Sequence, residues 1–188
     1  MDERLNRADI RSDPGDGLVP DGTPLNVAFK VSRVSGAGCA PLAGAFVDLW
    51  QCDALGVYSG VTDANGLFET RGKKFLRGYQ VSDAAGRVEF RTIYPGWYQG
   101  RTVHIHVKVH VRGNVVHTGQ LYFSDRVTDA AYRKAPYTNR PNRDVRNADD
   151  IVFRNGGKRS LLSVRRNDER HAGRQPCATP TMPRSGES

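Results

Sequence analysis

The chain has 188 residues, 38% of them hydrophobic, and a net charge of +8. That length can bury a core without metal or disulfide support, so one domain of moderate size is expected. The charge does not point to nucleic acid. From Arg154 onward eight Lys/Arg stand against three Asp/Glu, a net +5, and the body of the chain mixes both signs, whereas a nucleic-acid interface needs basic residues gathered on a folded face.

No apolar run approaches the length of a membrane span, so no membrane partner is expected. The opening MDERLNRADIRSDPGDG lacks the apolar region of a secretory signal. This fits a cytoplasmic protein, or an exported one whose leader has been removed.

Residues 1–23 are rich in Asp, Arg, Gly and Pro and predict an extended N-terminal arm. From Leu25 the apolar positions 25, 27, 29 and 31 have period two, the mark of a half-buried strand. Residues 36–41 predict a turn, and AFVDLWQ at 45–51 alternates again. Asp63–Gly66 is a strong turn signal, and residues 72–78 form a basic loop. Strands are predicted at 79–82, 88–93, 103–111 and 115–123, with a tight hairpin turn at Gly113-Asn114. Residues 125–134 predict a helix with Ser124 as N-cap. Residues 151–153 and 160–164 predict two last strands.

Many short strands separated by Gly/Asp/Asn turns indicate an all-β fold. We expect an antiparallel, prealbumin-like β-sandwich with long loops and at most one short helix. The expected organisation is an arm at 1–23, a catalytic β-sandwich domain at 24–164 and a disordered basic tail at 165–188. Cys39 and Cys52 either form a disulfide or remain two buried thiols, and Cys177 falls in the tail.

The chemistry concentrates in TIYPGWYQGRTVHIHVKV, Thr92 to Val109. His104 and His106 alternate with apolar residues. On a strand they share a face, about 6.6–6.8 Å apart along it, and can grip one metal ion. Only five residues separate Tyr98 from His104, enough to double the phenol back over the imidazoles. Tyr58 and Tyr98 each follow a Gly-containing turn that can aim a side chain into a site. Two phenolates and a hydroxide balance the charge of Fe(III), and two neutral imidazoles complete the set, so His/His/Tyr/Tyr suits ferric iron better than zinc. Taken singly, Tyr58 reads as a half-buried strand tyrosine, Tyr98 as a turn aromatic, Arg101 as a surface arginine and Gln120 as a strand residue. Trp50 and Trp97 read as packing residues, and His110 and His117 as structural or exposed.

The strings VDLWQCDALGVYS (47–59), FLRGYQ (75–80), YPGWY (94–98), GRTVHIH (100–106) and QLYF (120–123) together resemble the intradiol ring-cleavage dioxygenases, non-haem Fe(III) enzymes of the protocatechuate 3,4-dioxygenase and catechol 1,2-dioxygenase type. The match runs from about residue 9 to 164, with the motifs in the family's order. The resemblance implies that Tyr58, Tyr98, His104 and His106 are metal ligands, with Tyr58 bound through turnover and Tyr98 leaving iron when substrate arrives. Arg101 would stabilise negative charge on the substrate ring, and Gln120 would line the pocket. The implied reaction opens a catechol between its hydroxyl-bearing carbons with O₂ to a cis,cis-muconate-type diacid. The partners are then a catechol and O₂, with homo-oligomerisation left open. Two other readings compete: a non-catalytic prealbumin-like module, and a zinc or copper site built on His104 and His106 with a third ligand elsewhere.

Overall fold

In the computed structural model of the chain, residues 3–36, 38–62 and 69–165 are described. Eight strands follow in order: β1 (Pro24–Lys30), β2 (Ser32–Ser35), β3 (Gly38–Pro41), β4 (Phe46–Trp50), β5 (Arg77–Val81), β6 (Arg87–Ile93), β7 (His104–Val111) and β8 (Asn114–Tyr122). Two short helices, α1 (Asp125–Ala131) and α2 (Ile151–Arg154), come after them. The strands form an antiparallel four-stranded sheet in the order β5-β4-β7-β8, a β1–β6 pair and a β2–β3 hairpin. The all-β expectation holds.

The core is made by one face of each sheet. Val47 and Leu49 on β4, with Ile105 and Val107 on β7, pack with Val27, Val88 and Phe90 of the two-stranded sheet. Their sequence neighbours Trp50, His104 and His106 necessarily point to the other face, because side chains alternate along a strand. Register then lines up Arg77, Trp50, His106 and Gln120 as one row across β5, β4, β7 and β8.

The arm is part of the fold. Asn6 bridges Tyr79 on β5, Asp9 bridges Arg91 on β6, and Ile10 is fully buried in the core between them. The Arg7 guanidinium ties this crossing to the carbonyls of Ser12, Lys74 and Arg77.

Four local expectations are corrected. Residues 151–153 are the start of helix α2, not a strand. The Asp150 carboxylate accepts from Val152 N at 2.7 Å and Phe153 N at 2.8 Å, and such a cap turns a short apolar triplet helical. The expected strand at 160–164 reduces to a single Leu161–Tyr122 bridge after a 3₁₀ turn. Residues 38–41 pair as β3 instead of turning, and the β7–β8 turn centres on Arg112 and Gly113, both at positive φ, one residue earlier than expected.

Ser124 does cap α1, and that helix ends at Ala131. Cys52 is a buried free thiol and Cys39 lies exposed on β3, so these two are not joined. The turn expected at 63–66, and all of the expected tail after Arg165, lie outside the described residues.

Candidate metal centre

Two turns carry the tyrosines, and two glycines press those turns together. A Cβ on Gly56 would lie 2.1 Å from the Trp97 carbonyl oxygen, and one on Gly96 would lie 2.4 Å from that of Ala54. The Gly96 N–H donates to Asp53 O at 2.8 Å, and the Asp53 carboxylate in turn accepts from the N–H groups of Leu55 and Val57. This contact sets Tyr58 and Tyr98 side by side, ring centroids 5.6 Å apart and edge to face.

β7 brings the imidazoles beneath them. The Nε2 atom of His104 lies 3.1 Å from His106 Nε2 and 3.2 Å from the Tyr98 hydroxyl. His104 is buried, and its Nδ1 lies 2.7 Å from the Thr102 carbonyl oxygen, which can only accept. The ring proton therefore sits on Nδ1, and Nε2 presents a lone pair to its neighbours. Burial pushes both imidazoles down to about 4, with His104 a further cause for His106.

Tyr58 completes the group. Its ring lies edge-on to His106 at 5.9 Å, and among the described residues its buried hydroxyl finds no well-aligned hydrogen-bond partner. Burial raises the phenols of Tyr58 and Tyr98 above the ordinary tyrosine range. An orphaned hydroxyl beside closely spaced lone pairs is what a cation would relieve. Two donors each about 2.1 Å from one ion, roughly at right angles, lie about 3.0 Å apart, close to the spacings seen here. The donor chemistry, two neutral nitrogens and two phenols that ionise on binding, fits a hard trivalent ion.

Arg101 and Gln120 stand at the rim of this cluster. Arg101 Nη2 donates to Gln120 Oε1 at 2.6 Å, and Tyr122 Oη donates to the same oxygen at 2.7 Å. Arg101 Nε donates to Asp150 at 2.9 Å, and that carboxylate also accepts from Thr102 N at 2.8 Å. The Asp150 side chain is fully buried; burial alone would raise its carboxyl, but the backbone amides of Phe153 and Thr102, then the Arg101 guanidinium, together hold it below the usual range.

All six residues singled out from the sequence thus lie in one neighbourhood. Asp150 was missed: its signal, an Asp before Ile-Val-Phe, was there as a helix cap but was read as strand. Thr102, whose carbonyl oxygen fixes the His104 ring, was also missed. Trp97 packs outside the cluster, its Nε1 donating to Arg140 O and the Arg140 guanidinium 4.4 Å from its ring. His110 pairs with Asp48 at 2.6 Å, and His117 is exposed. Among the described residues no three His, Cys, Asp or Glu side chains come together as metal ligands, so the expected zinc or copper alternative finds no third ligand of those types.

An all-β sandwich with a paired imidazole–phenol cluster on the outer face of its larger sheet defines a narrow class. The family model described as Dioxygenase (Dioxygenase_C) matches residues 4–136. An intradiol ring-cleavage dioxygenase from Tetranychus urticae is 35% identical, superposes with a TM-score of 0.75, and the match covers 87% of this chain and 79% of that one. The dioxygenase domain of a dioxygenase–carbohydrate-binding fusion from Streptomyces sp. SirexAA-E is 32% identical at a TM-score of 0.55, covering 86% and 79%. A catechol 1,2-dioxygenase of Candida albicans is 30% identical over 139 residues, covering 66% of this chain and 43% of its own length. The chain belongs to the intradiol ring-cleavage dioxygenase family. It spans less than half the length of that Candida relative and of a Pseudomonas chlorocatechol 1,2-dioxygenase, 43% in each case.

Proposed function

We propose that the protein is a ferric intradiol dioxygenase, with iron held by Tyr58, Tyr98, His104 and His106, opening a catechol between its hydroxyl-bearing carbons to a cis,cis-muconate-type diacid. The observation that carries this reading is the approach of His106 Nε2 and Tyr98 Oη to within 3.2 Å of His104 Nε2, beside the unpartnered Tyr58 hydroxyl. Family membership supports the reaction type. When bound, ferric iron would act as a Lewis acid that activates the diol toward O₂.

The chain's own residues then divide the work. Substrate must lose two protons to bind through both oxygens. Tyr98, on the turn before β7, is the phenol that can swing off the site and take one of them at Oη, and a hydroxide accompanying the ferric ion would take the other. Tyr58 stays as the fixed anionic ligand. His104, its tautomer set by Thr102, presents Nε2 without a competing proton. Asp150 and Gln120 hold Nε and Nη2 of Arg101, which fixes the guanidinium at the rim of the cluster as a preorganised cation for the charge developing on the ring.

The deciding experiment combines metal analysis with oxygen uptake on a panel of catechols. Near-stoichiometric iron, a phenolate-to-iron absorption band and a muconate product are expected. Folded protein that takes up no iron, or a semialdehyde product, would overturn the assignment.

A further inference from the structure

The two histidines of the cluster are held by different devices. His104 is fixed through Nδ1 by the Thr102 carbonyl, the usual way in which the second ring nitrogen of a ligating imidazole is anchored. His106 makes no such bond from Nδ1 among the described residues. Its ring instead lies flat on the indole of Trp50, centroids 4.8 Å apart and planes within 4°. Backbone register enforces the contact, because Trp50 and His106 are directly paired between β4 and β7. The Lys108 ammonium, two residues along the same face, sits 5.9 Å from the indole centroid.

We infer that Trp50 is the positioning residue for His106: its indole face does for this ring what the Thr102 carbonyl does for His104. The proposal rests on the metal-site reading above and adds a residue to it. The physical reason is rotational. A histidine on a strand has two free side-chain torsions, and a hydrogen bond at Nδ1 or a flat wall removes the second. Here the wall is aromatic, so it fixes the ring plane without choosing a proton position. The indole also borders a cavity of about 280 Å³ lined in part by Asp48, Arg77, Lys108 and His110. A smaller side chain at position 50 opens that space to His106 and lets the imidazole turn away from its partner nitrogen.

Two measurements test this. In the metal-free wild-type protein, the carbon-bound ring protons of His106 are expected upfield of those of a free imidazole, shifted by the indole beneath them. Their absence from that region would refute the stack with no variant involved. In the iron-loaded protein, Trp50→Phe, which keeps an aromatic face, should lose iron to a chelator within a few-fold of the wild-type rate. Trp50→Met, which fills similar volume without a face, should lose it roughly 10–100-fold faster and shift the phenolate absorption band. Equal rates and bands in wild type and a folded Met variant would overturn the inference while leaving the dioxygenase reading intact. Wild-type protein that binds no iron would instead sink that reading.

Discussion

The Tyr58 hydroxyl is buried and, among the described residues, lies beside the Tyr98 phenol without forming a well-aligned hydrogen bond. An unmet buried hydroxyl costs about 1–3 kcal/mol, so its presence works against the metal-free fold. Tyr58→Phe should therefore separate stability from function. The metal-free variant is expected to melt at or above the wild-type temperature, while iron binding and ring cleavage are largely lost. A metal-free Phe variant that is clearly less stable would show that the hydroxyl has a partner. The imidazoles make a second claim at this scale. Burial holds both near 4 in the folded state, against about 6.5 when unfolded. Between those values the unfolded chain binds protons that the folded one refuses. Metal-free stability should thus be fully present above pH 6.5 and be lost progressively as pH falls to 4. Denaturant titrations of wild type should show that slope, and a His104→Gln, His106→Gln double variant should be nearly flat over the same window.

Among the elements, the pair of turns matters more to the site than any strand. Gly56 and Gly96 let residues 52–58 and 95–98 touch backbone to backbone, and nothing larger fits. Gly96→Ala pushes its methyl into the Ala54 carbonyl and must part the turns. Because that contact lies outside the sheets, the variant should keep the far-UV spectrum of a β protein yet lose at least about tenfold in kcat/KM, since small displacements of positioned groups are costly to catalysis. An unfolded Gly96→Ala protein would place these turns in the core instead. β1, β4, β6 and β7 were legible in the sequence because each has one buried face, so Leu25, Val47, Val88 and Ile105 mark the period plainly, whereas β3 is exposed throughout and carries no such mark. The turn-to-turn contact was not legible. A glycine that permits close approach looks the same in sequence as one that merely bends the chain. Helix α2 was misread for a related reason: Ile-Val-Phe has strand propensity, and the buried Asp150 carboxylate overrides it by capping Val152 and Phe153.

For the molecule as a whole, the arm is the least expected part. Its composition predicted an extended segment; after a 3₁₀ turn at Glu3–Leu5 it crosses β5 and β6 and buries Ile10 fully between them. One apolar residue in a polar stretch has no periodicity to reveal it. Ile10→Ala should cost about 2–5 kcal/mol, as core truncations do, measured as a lower denaturation midpoint. A loss under 0.5 kcal/mol would mean that the arm is dispensable.

β4 and β7 keep the packing side chains on one face and the candidate chemistry on the other: Leu49 against Trp50, Ile105 and Val107 against His104 and His106. The two sets of residues can consequently mutate on separate schedules. A ligand exchanged for a side chain of similar size leaves the packing face of both strands as it was, so the sandwich can persist where the candidate chemistry is lost.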